Sequence, residues 1–263
     1  MKPTRALVTG ASSGIGEEFA KILASQGVNL VIAARREDRL LALKETLVKS
    51  YGISVEIVPI DLTSPHSAED LFKLSTKSGP IDMLINNAGA GPYRAFLKTS
   101  RLEHEKIMQL NMVSLTSLSH LFAEHMKKHG RPSWILNVAS IAAFSPAPRF
   151  AVYCGSKYYV RIFSEILRHE LKATNISVSC LCPGGTATEF SKVNNQEVSS
   201  GMFLMSAEKV ARIGLEGAFK KKTVIIPGFF NKLSCLLSSI LPDSIAIPLS
   251  EKAMDMAVKE QTH

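Results

Sequence analysis

Short apolar runs alternate with longer amphipathic stretches along most of the chain, and this alternation constrains the fold more than any other feature. The runs rich in Val, Ile and Leu have the length of strands and cover residues 6–9, 30–33, 55–58, 83–86, 134–138, 177–181 and 224–226. Largely apolar strands suit a parallel sheet, because helices cover both of its faces. The sequence therefore predicts an α/β fold, a single Rossmann-like doubly wound domain with a seven-stranded parallel sheet flanked by helices.

A glycine-rich stretch follows the first predicted strand and opens the first predicted helix. It reads Thr9-Gly10-Ala11-Ser12-Ser13-Gly14-Ile15-Gly16. Gly10 permits a tight turn, Gly14 lets the backbone approach a pyrophosphate, and Gly16 lets the helix lie close to the sheet. The N–H groups at the helix start then face the anion. A purely structural turn has a similar composition, but the position at the first strand of an α/β chain favours a dinucleotide site.

The end of the second predicted strand indicates which dinucleotide binds. Chains that bind NAD place an Asp or Glu here, which binds the ribose 2′-hydroxyl and repels a 2′-phosphate. This chain has Arg35 and Arg36 instead, and guanidinium groups suit bidentate pairing with a phosphate. The alternative is that both arginines merely solvate a helix start, although such a start prefers acids. We therefore predict NADP(H) as the cofactor.

Tyr153 and Lys157 lie four residues apart in a predicted helix, so their side chains share one face. Lowering the ordinary tyrosine pKa of about 10 to about 7 requires roughly 4 kcal/mol. An ammonium at ~5 Å supplies roughly 3 kcal/mol at an effective dielectric constant of ~20, and the positive ring of an oxidised nicotinamide adds to it. The pair predicts an acid/base tyrosine tuned by the lysine, with an ordinary surface pair as the alternative.

Two further polar residues fit the same chemistry. Ser140 ends the fifth predicted strand, where α/β sheets place ligand-binding groups, and its hydroxyl suits a hydrogen bond to a substrate oxygen. Asn111 interrupts a helical pattern over residues 101–128, and Asn is a poor helix former. This interruption indicates either a local kink with a bound water or a core amide whose hydrogen bonds are satisfied.

Taken together, these motifs resemble the short-chain dehydrogenase/reductase family over about residues 4 to 228. The resemblance rests on the glycine-rich turn, Asp61-Leu62, Asn86-Asn87-Ala88-Gly89, Asn111, Ser140, Tyr153, Lys157 and Pro183-Gly184-Gly185-Thr186-Ala187-Thr188. It implies that Tyr153 is the proton donor or acceptor, that Lys157 tunes it and binds the nicotinamide ribose, and that Ser140 orients the substrate carbonyl. It also implies that Asn111 holds a water linked to Lys157. These four residues form the predicted catalytic set.

The resemblance also assigns the remaining cofactor contacts. It implies that Asp61 bonds the adenine amino group, that residues 87–89 line the adenosine ribose side, and that residues 183–188 hold the carboxamide. It makes Arg35 the chief ligand of the 2′-phosphate. The full predicted cofactor-binding set is Gly10, Ser12, Ser13, Gly14, Ile15, Gly16, Arg35, Arg36, Asp61, Leu62, Asn87, Ala88, Gly89, Tyr153, Lys157, Pro183, Gly184, Thr186 and Thr188.

The alternation stops after Pro227, which divides a dinucleotide-binding and catalytic domain at residues 1–228 from an apolar C-terminal extension at 229–263. An apolar helical stripe is predicted there from Phe229, Leu233, Leu236, Leu237 and Ile240. We expect this helix to pack on the core or on a partner subunit. A lid over an apolar substrate and a weak membrane-surface contact are the alternatives.

Charge and cysteine content exclude several other classes of function. The formal net charge of +8 suits a nucleic acid or an anionic surface, but only residues 220–222 form a tight basic run. A solvated basic face is therefore favoured, and no nucleic-acid partner is expected. The four cysteines have the spacing of neither a zinc site nor a disulfide framework, so no metal is predicted. No apolar run reaches the ~20 residues of a transmembrane helix and no signal peptide is recognised, so we expect a cytoplasmic protein.

These observations predict an oxidoreductase that transfers a hydride between NADP(H) and a carbonyl or secondary alcohol. We expect a reductase whose small-molecule substrate is apolar, namely a lipophilic ketone, aldehyde or 3-oxoacyl compound. Homodimers or homotetramers are expected from the resemblance. The alternatives are a membrane-associated lipid or steroid reductase and a non-catalytic NADP-binding regulator, which would be expected to lack Tyr153, Lys157 or Ser140.

Overall fold

The computed structural model describes residues 2–189, 197–198 and 204–259, with side chains for 2–189 and 204–252. The strands of its central sheet are Arg5–Thr9 (β1), Asn29–Ala34 (β2), Val55–Pro59 (β3), Met83–Asn86 (β4), Ser133–Val138 (β5), Ile176–Leu181 (β6) and Val224–Ile225 (β7). They pair in parallel in the order β7-β6-β5-β4-β1-β2-β3. The predicted fold, a seven-stranded parallel sheet flanked by helices, is confirmed.

Helices connect the strands and continue beyond the last one. They are Gly14–Ser25 (α1), Glu37–Tyr51 (α2), Ser67–Thr76 (α3), Arg101–Met108 (α4), Leu115–His129 (α5), Ala151–Glu170 (α6), Ala207–Phe219 (α7), Phe229–Ile240 (α8) and Asp243–Ala257 (α9). Short 3-10 turns at Phe96–Lys98 and Ile141–Ala143 lie in the loops after β4 and β5. Residue pairs Thr186–Ala187 and Met205–Ser206 form a two-stranded bridge after β6.

Helices cover both faces of the sheet because the strands present apolar side chains on both. Along β1, Val8 packs with Phe19 of α1 and Leu40 of α2, whereas Leu7 points the other way and packs with Phe122 of α5. All of these side chains are fully buried, and each contributes roughly 1.5–3 kcal/mol through burial. The apolar runs of the sequence are therefore the two-sided core of a doubly wound domain.

The strand order reverses between β1 and β4, which places a crevice at the carboxyl ends of these two strands. The residues that follow the two strands are tied together there. Asn87 donates a side-chain hydrogen bond to the Thr9 carbonyl oxygen at 2.9 Å, and the N–H groups of Asn87 and Ala88 donate to the Thr9 hydroxyl at 3.0 and 3.1 Å. The sheet topology thus brings two predicted motifs to one edge of the crevice.

A buried chain of polar side chains crosses the otherwise apolar centre of the sheet. Asn86 of β4 donates to Asn137 of β5 at 2.9 Å and to Ser119 of α5 at 3.1 Å. Asn137 in turn donates to Ser164 of α6 at 2.9 Å. These side chains are almost fully buried, so each hydrogen bond replaces one that water makes in the unfolded chain. The network joins two strands to the helices on one face.

The helical pattern predicted over residues 101–128 is interrupted in the structure. α4 leads into a π-helix at Gln109–Ser114, which leads into α5. Such a bulge inserts extra residues into a helix and occurs frequently at functional sites. The predicted local kink at Asn111 is therefore this π-helical segment.

The apolar stripe of the C-terminal extension lies on the outside of the molecule. Its members are exposed on α8, from 43% for Leu233 to 74% for Phe229. The predicted helix is present, but this stripe does not pack on the core of its own domain. The structure has no helix, among those in its described residues, that is long and apolar enough to cross a membrane. The last predicted residues of the extension, 260–263, lie outside the described residues.

Polar contacts attach the opposite side of the extension to the domain. Ser145 donates a hydrogen bond to Ser238 of α8 at 2.6 Å, and Ser250 of α9 donates to the Pro146 carbonyl oxygen at 2.5 Å. Cys235 is the buried residue of α8. The extension therefore lies against the loop that follows β5, which is the loop that begins with Ser140.

Candidate active site

The glycine-rich turn owes its shape to steric requirements that differ between its glycines. Gly10 and Gly14 have φ angles of 66° and 60°, in the left-handed region that glycine adopts most readily. At Gly16, a Cβ would lie 2.3 Å from the Gly10 carbonyl oxygen, so a side chain here would push α1 away from the turn. The Ser13 side chain does not cap α1. The first N–H groups of that helix are thus positioned to bind an anion.

The residues after β4 connect this turn to the catalytic residues. The N–H groups of Asn87 and Ala88 both donate hydrogen bonds to the hydroxyl of Thr9, the first residue of the turn. A Cβ on Gly89 would lie 3.2 Å from Lys157 Nζ and 3.3 Å from Asn111 Oδ1. The predicted residues 87–89 therefore run from the glycine-rich turn to the predicted catalytic set.

The segment after β3 forms the far end of the crevice. The Asp61 carboxylate accepts hydrogen bonds from the N–H and the hydroxyl of Thr63, both at 2.9 Å. Leu62 is buried, and its carbonyl oxygen accepts a hydrogen bond from Ser114 of the π-helix at 2.6 Å. Asp61 thus stabilises its own turn, which fixes its carboxylate at the carboxyl end of β3.

The two arginines after β2 point in different directions. Arg36 lies over the glycine-rich turn and donates to Ser13 Oγ at 2.9 Å and to Ser12 Oγ at 3.1 Å. Arg35 is exposed, and within the described part of the chain it has no ion pair. The assignment of the 2′-phosphate chiefly to Arg35 stays a prediction, and the arginine that lies beside the turn is Arg36. Register at the end of a strand decides this, because successive side chains point to opposite faces.

The predicted catalytic side chains converge at the carboxyl end of β5. Ser140 follows that strand, and its hydroxyl forms a hydrogen bond with the Tyr153 side chain. Lys157 is 4% exposed, its Nζ donates to the Val138 carbonyl oxygen at 2.9 Å, and this atom lies 5.7 Å from the centre of the Tyr153 ring. The tyrosine and lysine therefore share one face of α6, as their spacing predicts.

Burial dominates the ionisation of both groups. It raises the pKa of Tyr153 to about 12, against the opposing effect of the Ser140 hydrogen bond. It lowers the pKa of Lys157 to about 8. Tyr153 as a whole is only half-buried, while its ionisable end is enclosed. The expected lowering of the tyrosine pKa by the lysine does not appear, because desolvation opposes phenolate and the ammonium is directed at a backbone carbonyl.

Asn111 has its side-chain amide committed to other protein groups. Its two N–H groups donate to the Ala90 carbonyl oxygen and to Ser156 Oγ, both at 2.9 Å, and its oxygen accepts from the Ala90 N–H at 3.0 Å. The interruption of the helix and a satisfied core amide therefore occur together, whereas the bound water stays a prediction. Any water that Asn111 holds must therefore contact its main chain or the remaining lone pair of its amide oxygen.

The residues after β6 complete the crevice on its other side. The Pro183 carbonyl oxygen accepts hydrogen bonds from the Ile141 N–H at 2.9 Å and from Ser140 Oγ at 3.5 Å. Thr186 Oγ1 donates to the Gly184 carbonyl oxygen at 2.9 Å. Thr188 lies against the glycine-rich turn, where a Cβ on Gly14 would meet its methyl group at 3.0 Å. Residues 183–188 thus span the distance from Ser140 to the turn.

Three further residues, Gly91, Asn231 and Ser156, belong to the site but are not predicted from the sequence. A Cβ on Gly91 would lie 2.1 Å from Tyr153 Cδ2, so the bare Gly91 backbone packs against the tyrosine ring. A Cβ on Gly184 would lie 2.5 Å from Asn231 Nδ2, which brings α8 to the predicted cofactor loop. Ser156 Oγ accepts a hydrogen bond from the side-chain amide of Asn111. Of these, only Gly91 carries a signal in the sequence, as a second glycine one residue beyond the Asn-Asn-Ala-Gly motif.

The residues present fit a nicotinamide dinucleotide. The predicted residues after β1, β3, β4, β5 and β6 lie along one crevice at the carboxyl edge of the sheet, and Arg36 lies over its glycine-rich turn. A Cβ on Gly10, Gly14 or Gly16 would fill the cradle at the start of α1, and Ser140, Tyr153 and Lys157 lie at the opposite end of the crevice. In the part of the chain that the structure describes, no group of three or more His, Cys, Asp or Glu residues is arranged to hold a metal ion.

Comparison with known proteins agrees with this geometry. Residues 4–199 match the family model described as short chain dehydrogenase. The chain belongs to this family. A 17-beta-hydroxysteroid dehydrogenase type 3 of Mus musculus is 31% identical over 233 residues, which are 87% of this chain and 75% of the mouse protein.

Solved structures share the fold of this short-chain dehydrogenase. A short-chain dehydrogenase from Sphingobium yanoikuyae in complex with NADPH has a TM-score of 0.81 and 29% identity, and the match covers 90% of this chain and 96% of the other. A short-chain dehydrogenase/reductase from Burkholderia phymatum in complex with NAD has a TM-score of 0.81 and 24% identity, with coverage of 89% and 92%. The protein is thus an oxidoreductase of this family. Of the two structures named here, one holds NADPH and the other holds NAD.

Proposed function

We propose that the protein is an NADP(H)-dependent reductase of a lipophilic ketone, aldehyde or 3-oxoacyl compound. The observation that carries the proposal is the enclosed Tyr153 hydroxyl, hydrogen-bonded to Ser140 with Lys157 on the same face of α6. The dinucleotide supplies the hydride when it is bound. The protein's own groups then have to orient the carbonyl and deliver a proton to its oxygen.

Each catalytic side chain has one task in this reaction. The Ser140 hydroxyl orients the substrate oxygen and stabilises the negative charge that develops on it. The Tyr153 hydroxyl donates its proton to that oxygen. Because the pKa of Tyr153 is raised to about 12, the phenol is protonated at neutral pH, as a proton donor must be. Lys157 places a positive charge beside the ring, and Asn111 joins the π-helix to Ser156 of α6 and to the Ala90 backbone.

Removing the tyrosine hydroxyl tests this assignment. Tyr153→Phe should lower kcat by at least about 1000-fold, since the proton donor is lost, while NADPH binding measured by fluorescence titration persists. Tyr158→Phe is the matched control, because Tyr158 lies on the same helix with its side chain exposed, and it should retain activity. A Tyr153→Phe enzyme with substantial turnover would contradict the proposal.

The preference for NADP(H) over NAD(H) is supported by charge at the end of β2. Arg36 lies at Ser12 and Ser13, and Arg39 of α2 lies close enough to share a carboxylate with it. No acid stands at the end of β2 to bind a ribose 2′-hydroxyl. Arg36→Ala should therefore lower the ratio of kcat/KM for NADPH over NADH at least about tenfold, and Arg35→Ala should lower it less. Equal effects of both substitutions would reject the assignment to Arg36.

An apolar substrate is supported by the extension. α8 and α9 lie against the loop that begins with Ser140, and Asn231 lies against Gly184. The mouse relative, which matches 87% of this chain, is named as a hydroxysteroid dehydrogenase. Screening steroid, long-chain 3-oxoacyl and short polar carbonyl compounds by nicotinamide absorbance tests this point. A preference for short polar compounds would contradict it.

A second candidate, a lipid reductase that works at a membrane surface, is favoured by the exposed stripe of α8. Flotation with anionic liposomes should carry the protein upward if this is correct, and Leu237→Ser, which changes an exposed member of the stripe, should abolish flotation.

A homodimer is supported by a groove of about 390 Å³ along α6, lined by Tyr158, Ile162 and Ile166 among others. A cytoplasmic location is supported by the four cysteines, which are all free and buried.

A further inference from the structure

A carboxylate from the far side of the crevice occupies the arginines beside the glycine-rich turn. Glu189 Oε2 lies 2.7 Å from an Arg39 nitrogen and 3.1 Å from an Arg36 nitrogen. The same Arg36 guanidinium donates to Ser13 and Ser12 through its other nitrogens. Glu189 therefore reaches across the turn to the two guanidinium groups to which the proposed function assigns the cofactor's 2′-phosphate.

The backbone before Glu189 brings this residue to the turn. Thr188, directly before Glu189, lies against Gly14 of the turn. Arg36 and Glu189 are 153 residues apart in the chain, so only the arrangement of the segments after β2 and β6 brings them together. The pKa of Glu189 is lowered by its hydrogen bonds from Arg39 and Arg36, so the group is a carboxylate at neutral pH.

Charge balance shows that the carboxylate and a phosphate monoester are alternatives for these arginines. Two guanidinium groups with Glu189 retain one positive charge in excess, whereas a phosphate monoester carries about −1.5 to −2 charges at neutral pH and matches both. The three side chains are 37–41% exposed, and ion pairs of this kind are weak because water and salt screen them. The pair is therefore weak enough to exchange its anion.

We propose that Glu189 is a specificity-determining residue for the cofactor: it competes with the 2′-phosphate for Arg36 and Arg39. The inference rests on the proposed preference for NADP(H). Its consequence is that the preference of this protein for a 2′-phosphate is smaller than its arginines alone would give. A cofactor without that phosphate leaves the Glu189 pairs in place, so its affinity does not depend on Glu189.

Calorimetric titration with two adenosine fragments separates these effects without any catalytic readout. Adenosine 2′,5′-bisphosphate and adenosine 5′-monophosphate differ only in the 2′-phosphate. Glu189→Gln removes the charge and keeps the size, so it should tighten binding of the bisphosphate about three- to tenfold at low salt. Binding of the monophosphate should not change. Glu208→Gln is the matched control, because Glu208 is an exposed acid paired with Arg212 on α7, and it should change neither affinity.

The outcomes distinguish the proposed preference for NADP(H) from the proposed competition by Glu189. If the wild-type protein binds both fragments equally, the proposed preference for NADP(H) is wrong, and the inference falls with it. If the wild type prefers the bisphosphate but Glu189→Gln leaves the ratio of the two affinities unchanged, the inference alone is overturned. A gain of equal size for both fragments also overturns it, since Glu189 would then merely repel any phosphate.

Discussion

Tyr153 is an acid whose surroundings keep it protonated. Burial raises its pKa to about 12, and burial also lowers the pKa of the neighbouring Lys157 to about 8. Both shifts favour the neutral form, because a low-dielectric environment penalises charge of either sign. At neutral pH the site therefore holds a phenol ready to donate and a lysine that exchanges its proton readily.

This ionisation state predicts a difference between the two directions of the reaction. Carbonyl reduction needs the phenol, so its kcat/KM should stay level from pH 6 to about 8. Alcohol oxidation needs the phenolate, whose fraction rises about tenfold per pH unit below the pKa, so its rate should rise steeply with pH. Initial rates with saturating cofactor in both directions check this. A reduction rate that already declines between pH 6 and 8 would show that Tyr153 ionises near neutrality.

Gly91 has no side chain, and this lets the ring of Tyr153 take its position against the Gly91 backbone. A Cβ there would lie 2.1 Å from Tyr153 Cδ2, so Gly91→Ala must displace the tyrosine ring. A displacement of about 1 Å in a catalytic group costs up to about 100-fold, and we expect kcat to fall about 10- to 100-fold with little change in NADPH affinity.

The same substitution on the catalytic helix provides the control for Gly91→Ala. Gly155 lies between Tyr153 and Lys157, but a Cβ there meets nothing within 4 Å. Gly155→Ala changes an exposed position of α6, so it should stabilise the helix by about 0.5–1 kcal/mol and leave kcat unchanged. Equal kcat values for Gly91→Ala and the wild type would show that the ring tolerates displacement.

The sequence predicts which residues form the site better than it predicts where their side chains point. Tyr153, Lys157 and Ser140 were predicted from helical spacing and from the end of a strand, and these rules depend on local geometry alone. Arg36, and not Arg35, lies over the turn because of the register at the end of β2. Glu189 meets it across 153 residues. Such contacts follow from tertiary packing, which neither spacing nor composition encodes.

At the scale of elements, the π-helix between α4 and α5 depends on Asn111. Asn111→Leu keeps the branching and the number of side-chain heavy atoms but removes the amide. The Ala90 N–H, the Ala90 carbonyl and the Ser156 hydroxyl then lack this partner. Buried polar groups without partners are costly, so the free energy of unfolding should fall by about 2–4 kcal/mol. Urea denaturation followed by circular dichroism measures it.

A neighbouring residue of the π-helix serves as the comparison. Gln109 is partly exposed, and its amide makes one long contact of 3.4 Å with Ser114 Oγ. Gln109→Leu should change the free energy of unfolding by less than about 1 kcal/mol. Similar values for the two variants would mean that Asn111 is not what holds this segment.

The helices and strands themselves were largely predictable, and α8 shows where the prediction stops. An amphipathic pattern over residues 229–240 identifies the helix, because periodicity reports which side chains share a face. Periodicity does not report what that face contacts. In the structure it is Cys235 that is buried, while the predicted apolar stripe is exposed.

At the scale of the molecule, the amino end of the sheet carries a pH-sensitive contact far from the active site. The Ile81 N–H donates to His125 Nε2 at 3.2 Å, which requires that nitrogen to be unprotonated. Burial lowers the pKa of His125 below 6.5, and His129, Arg131 and Lys128 act in the same direction while Asp82 opposes them. The folded state thus favours neutral His125.

The sign of the resulting pH dependence follows from that lowered pKa. The stabilisation is fully present above the unfolded-state pKa of about 6.5 and is lost as pH falls through the lower folded-state value. Urea unfolding at pH 8, 6 and 5 should therefore show a decline that is smaller in His125→Gln, which lacks the titrating group. Parallel declines in both proteins would assign the acid sensitivity to other residues.

The doubly wound topology was predictable because apolar strands and amphipathic helices alternate so regularly. What alternation leaves undetermined is how neighbouring strands align, since one apolar residue pairs about as well as the next. The buried contacts of Asn86 with Asn137 and of Asn137 with Ser164 remove that freedom. If β4 shifted against β5 by one position, the two buried amides would lose their hydrogen-bond partners. Each unpaired group would cost about 1–3 kcal/mol. Ser140 follows Asn137 by three residues, so the alignment that these amides enforce also sets how far the serine hydroxyl projects from the sheet.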